Sequence, residues 1–314
     1  ETKNNFVTLY SNYNKDNLNI HAGFITNSIM NNENGGLVSD DLILSNDDTE
    51  LLEVNLQNTR SEFSSNYFYA TGEYRLGKYI ETGEERIIDA QEGEPEEVIP
   101  VTRFKPIVGF LYSFEYQIHS KEFIEDEDST SFFRNTFYGD DYIKDSIRFR
   151  KLQNVFQIKQ YENPDREISF GKRAYLGQNI NWMSMPGEYI AVQYPFEYPL
   201  NVMGATPNNW GIDSVLQRKN MTYSNLYVGG GIFRQTGKFW RWNFDGKFYL
   251  LGRRSGQTEI SGVITKPLRL FGDSLAGLRI DGSLENTMPE VFQEEFYSNH
   301  SRWKNDLNME QRMT

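Results

Sequence analysis

The chain has 314 residues and a net charge of −12 at pH 7, from 44 Asp+Glu against 32 Lys+Arg. That acidity excludes the basic footprint of a nucleic-acid binder. Cysteine is absent and histidine occurs only at His21, His119 and His300, so a disulfide framework, a thiolate metal site and a Cys nucleophile are excluded, and no metal or cofactor is expected.

The elements follow from period, because a strand sends successive side chains to opposite faces. Asn5–Tyr13 and Asn19–Ile29 alternate weakly, and a long polar connection then spans residues 31–65, with Asn34-Gly35-Gly36 and Asp47-Asp48. Alternation resumes over Asn66–Ile80. A second long connection, residues 81–100, holds the acidic run Glu92-Gly93-Glu94-Pro95-Glu96-Glu97. From Pro106 to His119 the pattern is clean. Val108, Phe110, Tyr112, Phe114, Tyr116 and Ile118 share one face, opposite Gly109, Ser113, Glu115 and Gln117. The acidic clusters at residues 125–128 and 140–141 read as solvated loop, since their spacing is not that of an EF-hand.

Ile147–Tyr161 and Ser169–Met183 form the next pair, joined by a short turn. On the second of these, Lys172 and Gln178 interrupt the apolar parity of Phe170, Ala174, Leu176, Ile180 and Trp182. Residues 185–220, with four prolines, read as a third long loop; the Asn220-Met221-Thr222 sequon at its end reads as chance. Tyr223–Gln235 and Phe239–Leu251 predict an antiparallel hairpin turning near Gly237, where glycine supplies the positive φ of a tight turn. Leu226, Val228 and Ile232 belong on the face of Trp242, Phe244 and Phe248. Arg234 shares that parity near the turn, where a long side chain can reach headgroups. Glu259–Leu270, Leu275–Glu285 and Asn299–Leu307 complete the series.

About eleven strands result, many of nine or more residues, the length that crosses a bilayer. Aromatic residues are 15% of the chain, and they sit on the apolar parity rather than in a Val/Ile/Leu core. A transmembrane antiparallel up-and-down β-barrel places rings in this way, polar inside and apolar outside. The expected fold class is therefore all-β, a single barrel domain over 1–314. The assigned lipid-facing residues are Val108, Phe110, Tyr112, Phe114, Tyr116, Trp240, Trp242, Phe244, Phe248, Leu250, Leu278 and Ile280. The assigned lumen-lining residues are Arg241, Asn243, Asp245, Lys247, Arg279, Asp281 and Glu285. Strand parity puts the 31–65 and 185–220 loops at one end, taken as extracellular, and the Gly237 turn at the other. The connection at 81–100 then falls on the short-turn side despite its length.

Two motifs suggest chemistry and do not sustain it. Ser298 and His300 lie together, but sequence assigns no orienting acid, and an enzyme is not expected. Gly229-Gly230-Gly231 lacks the Lys-Ser/Thr of a phosphate loop; glycine inside a strand marks a bulge, a bend or a close ring contact.

Phe6-Val7-Thr8-Leu9-Tyr10-Ser11-Asn12-Tyr13, then Thr26-Asn27-Ser28-Ile29 and Asn32-Glu33-Asn34-Gly35-Gly36, resemble a strand pair and loop of the outer-membrane porins of Bacteroidota. Phe296-Tyr297-Ser298-Asn299-His300-Ser301-Arg302-Trp303-Lys304-Asn305 is similar to a second stretch of that family. The resemblance implies a bacterial outer-membrane barrel and a porin-like channel for passive diffusion of small polar solutes, with membrane lipid and other outer-membrane proteins as partners. It also implies that these residues are an internal segment of a longer chain and a larger barrel. The alternative is a structural or accessory barrel subunit of a larger outer-membrane complex, its lumen plugged.

Overall fold

The structure is a computed structural model. It describes residues 2–44, 52–56, 58–88, 97–125, 132–133, 137, 143–163, 165–166, 169–195, 210–236, 240–270 and 274–314. Ten strands follow one another in the chain: β1 (Thr2–Lys15), β2 (Leu18–Glu33), β3 (Thr59–Ile88), β4 (Glu97–Glu125), β5 (Ile143–Gln160), β6 (Gly171–Pro195), β7 (Trp210–Arg234), β8 (Arg241–Gly252), β9 (Thr258–Leu270) and β10 (Ser274–Thr287). Each pairs antiparallel with the next in chain order, and all belong to one sheet. After β10 come a single helical turn, α1 (Val291–Glu294), and three short strands, β11 (Glu295–Tyr297), β12 (Arg302–Lys304) and β13 (Glu310–Met313).

The chain is thus nearly all β, an up-and-down antiparallel sheet of eleven strands with β1 at one edge and β13 at the other. The sheet does not close on itself, and its plan is that of a segment of barrel wall. Connections after even-numbered strands lie at one end, here the upper rim; those after odd-numbered strands lie at the lower rim. The expected 223–250 hairpin forms, with Val228 opposite Phe248 and Ile232 opposite Phe244. Gly237 and the acidic segments 126–128 and 140–141 lie outside the described residues.

Four expectations need correction. Residues 299–307 are not a strand of the wall; β13 is the eleventh strand, held to β10 from Leu284 to Thr287. Within 299–307 only Arg302–Lys304 is extended, and it pairs with β11 in a separate two-stranded sheet. The reason is that only Trp303 and Leu307 are apolar on the odd parity of this stretch, too few to make a strand of the open face. Residues 185–220 are mostly strand rather than loop, because β6 runs on to Pro195 and β7 begins at Trp210, with a register break between Pro186 and Tyr189. The 31–65 connection shortens likewise, since β3 begins at Thr59. The 81–100 connection is a continuing hairpin: Ile88 still pairs with Glu97, across a bulge between Glu81 and Glu85. Strand parity was counted correctly before residue 100; the connection is long because the two strands are.

Registers carry one parity across the whole sheet. Tyr74 faces Phe110, Phe110 faces Ile158, and Tyr112 faces Phe156. Phe156 faces Leu176, Leu176 faces Val228, Val228 faces Phe248, and Ile264 faces Ile280. This is one largely apolar face, interrupted where Asn154 faces Gln178 and accepts from the Tyr112 hydroxyl, and it is open to its surroundings: Tyr112 is 50% exposed, Phe156 48% and Leu278 45%. Nothing among the described residues packs over it as the second sheet of a sandwich would.

Candidate channel lumen and the segment folded across it

The assigned outward residues all lie on this open face. Phe110, Tyr112, Trp240, Phe244, Phe248, Leu250, Leu278 and Ile280 are exposed, while Val108, Phe114, Tyr116 and Trp242 are half-buried between neighbours. At Leu250 the register breaks: Tyr249 faces Tyr227 and Leu251 faces Leu226, so Leu250 is the extra residue of a bulge. Lys172 also has a place here. Beside the lower rim its ammonium sits 5.2 Å over the Phe170 ring, and Lys266 sits 4.9 Å over Trp240. Lysine stems lying along rings with their heads at the edge suit an interface between apolar and wet surroundings.

The opposite face carries the charge. Arg173 donates from Nε to Asp245 Oδ2 at 2.8 Å and from Nη2 to Asn243 at 3.2 Å, and the Tyr175 hydroxyl donates to Asp245 Oδ1 at 2.7 Å. Arg173 and Asp245 are not on neighbouring strands: Gly231 on β7 lies between them, facing both. Glycine leaves the gap through which the guanidinium reaches; a Cβ there would sit 2.7 Å from Asp245 Oδ2 and 3.1 Å from Arg173 Nε. Gly229 gives way to the Tyr175 ring in the same manner. The glycine triplet is therefore a close-contact device, one of the three readings its position in a strand allows. Lys247 pairs with Glu259 at 2.5 Å and lies 5.4 Å from the Tyr249 ring. Arg279 grips Asp281 at 2.8 Å, and both are exposed. Arg241 is exposed at the lower rim, and Glu285 faces Arg312 of β13.

Sequence reasoning missed Arg173, Tyr175 and Glu259, though all three have the parity of this face. It missed the buried amides as well. Asn179 accepts from Asn181 at 2.9 Å and from Asn225 at 2.8 Å, while Asn225 accepts from the Arg254 N–H at 2.9 Å. This chain ties β6 and β7 to the β8–β9 turn.

The larger omission is the segment 288–309, which leaves the upper rim after β10 and folds back onto the charged face. Its Val291 joins Met183 and Met185 of β6 in a buried cluster, with Ile147, Phe149, Met221, Tyr223, Phe292 and Tyr297 around it. Polar contacts fix its course. Arg253 bonds the Pro289 carbonyl and Glu294, and Arg254 bonds Glu290. Lys219 pairs with Glu295. Asn299, fully buried, donates its backbone N–H to Asp145 Oδ2 at 2.7 Å. His300 Nε2 lies 3.0 Å from Glu125 Oε2, and its ring stacks on Phe133 with centroids 3.6 Å apart. The Ser298 hydroxyl donates to the Ser301 carbonyl at 3.1 Å. Burial pushes the Glu295 carboxyl up, but hydrogen bonds from Lys219 and Tyr297 outweigh it and hold the group below the ordinary glutamate value.

A cavity of about 470 Å³ remains between this segment and the wall of β3, β4 and β5. Its lining is mostly aromatic, with Lys121, Asp145 and His300 among the polar groups.

A search of curated proteins found no match. A family model described as "Putative porin" matches residues 1–314. That match covers the chain from end to end and agrees with its antiparallel sheet, and the chain belongs to this porin family.

Proposed function

We propose that the chain forms wall and lumen of an outer-membrane channel for passive diffusion of small polar solutes. One observation carries this reading: a single parity is largely apolar and open from β2 to β10, interrupted at Asn154 and Gln178, while the other holds a charge network. A closed barrel satisfies every backbone hydrogen bond in hydrocarbon, where an unpaired group costs several kcal/mol. In this reading Val108, Phe110, Tyr112, Phe114, Tyr116, Trp240, Trp242, Phe244, Phe248, Leu250, Leu278 and Ile280 contact lipid. Arg241, Asn243, Asp245, Lys247, Arg279, Asp281 and Glu285 line the pore. Opposed charges there set a transverse field that selects by size and sign. No step requires a catalyst or a cofactor. The longer connections of the upper rim suit the extracellular side.

The experiment is single-channel recording of the full-length protein in planar bilayers. Stepwise conductance with weak ion selectivity is expected; a silent, correctly inserted barrel would favour the second reading. That reading, an accessory subunit with a plugged lumen docked to other outer-membrane proteins, draws support from the re-entrant segment 288–309 on the charged face.

A further inference from the structure

We propose that the cavity beneath the re-entrant segment is a binding site for a small solute with one flat apolar ring and one anionic group. That such a solute then crosses the wall rests on the channel reading above. The volume, about 470 Å³, is in the range of small-molecule pockets.

The floor is a ring platform. Phe63, His119 and Phe149 stand on β3, β4 and β5. Phe63 and His119 have centroids 6.3 Å apart and planes 22° apart; His119 and Phe149 have centroids 6.2 Å apart and planes 23° apart. Three nearly parallel rings in a row present a surface on which a planar solute can stack. The re-entrant segment covers it with Phe292 and Phe296. The covering segment is itself fixed, by Asn299 on Asp145 and by His300 on Glu125.

Those same contacts decide the sign of the solute. Asp145 turns one oxygen to the Asn299 N–H and Glu125 turns one oxygen to His300, so both carboxylates point to the segment's ties. Lys121 lines the cavity at its solvent-exposed edge, and its ammonium makes no ion pair or hydrogen bond among the described residues. A neutral ring leaves this cation to water and gains nothing from it, and a cationic ring would meet it with repulsion. A carboxylate answers it with a charge-assisted hydrogen bond. Rings supply the contact area, and one cation supplies orientation, the usual division of labour in such pockets.

Benzoate is the test probe, with acetate (charge without ring) and benzamide (ring without charge) as controls. Equilibrium dialysis against the full-length protein in detergent should retain benzoate at least tenfold more strongly than either control. Lys121→Gln should reduce benzoate to the level of benzamide, and Phe149→Leu should weaken it several-fold while benzamide falls in parallel. Heat-dependent gel mobility verifies that each variant is folded. Equal retention of the three probes, or benzoate retention unchanged in folded Lys121→Gln, would overturn the site. Dialysis needs no ion flow, so the two ideas separate. Benzoate binding by a protein that never conducts keeps the site and removes the channel. Conductance without benzoate preference does the reverse.

Discussion

The wall β1–β10 and the re-entrant segment 288–309 obey different physics. In the wall, each strand repeats one rule, and neighbours agree because registers keep parity from β2 to β10. No single contact decides the structure there. In the segment nothing repeats. Its course is fixed by individual partners on distant strands: Asp145 for Asn299, Glu125 for His300, Lys219 for Glu295. A wall built by repetition tolerates change on its wet face and punishes it on its apolar face. A segment built from particular contacts should come loose one tie at a time while the wall stands.

The largest expected effect tests the wall's apolar face. Phe244→Arg places a cation among exposed rings and should cost roughly 2–4 kcal/mol if it lies near the bilayer midplane. Urea-dependent folding into lipid vesicles measures it. A loss much smaller than this would mean that the face does not meet hydrocarbon.

The next effect tests whether the wet face is as tolerant as claimed, and it should find the exception. Gly231→Val forces a side chain between Arg173, Asp245 and the Phe244 carbonyl. Overpacking of this kind costs typically about 1–3 kcal/mol, read in the same folding assay. A Gly231→Val protein as stable as the parent would show that the Arg173–Asp245 reach across β7 does not depend on the glycine.

The same contrast explains what could be read in advance. The clean strands, such as Pro106–His119 and Phe239–Leu251, announce themselves because one parity is ring-rich and the other is charged. The ends of β6 and β7 did not, since Pro186 and Pro195 break the signal where the strands continue beyond the apolar belt. Residues 299–307 read as one more strand because Trp303 and Leu307 share a parity opposite charged neighbours, and so weak an alternation does not distinguish a wall strand from a tertiary tie. Asp245 and Lys247 were assigned to the wet face from parity alone. Their partners Arg173 and Glu259 needed register, which sequence does not supply without pairing. The cavity was invisible, because Phe63, Phe149 and Phe292 come from three separated parts of the chain.

A third prediction addresses the segment alone. Burial on both sides of Asn299 makes its docking dependent on Asp145. Asp145→Ala leaves the buried Asn299 N–H without its acceptor, a penalty of about 1–3 kcal/mol. That penalty falls on the segment's docking. Amide hydrogen exchange should accelerate across 288–309, with β8 and β9 unchanged. Uniform acceleration through the wall would mean that the segment and the wall fold as one unit.

The smallest expected effect concerns acid. The Glu295 carboxyl titrates below its ordinary value of 4.5 because Lys219 and Tyr297 stabilise its charged form against the opposing effect of burial. A depressed carboxylate contributes its tie fully above the ordinary value and loses it as pH falls through the depressed one. Docking of the segment by this contact should thus be constant from neutrality down to about pH 4.5 and weaken only below it. Glu295→Gln removes the charge at every pH and should abolish that dependence, leaving a protein whose protection factors near α1, corrected for intrinsic exchange at each pH, are slightly lowered and flat with pH. The Lys219–Glu295 contact is partly solvated, so salt should shrink the effect further. A pH response centred near neutrality instead, and retained in Glu295→Gln, would assign the sensitivity to another group, and the ties of the segment would then have to be re-ranked.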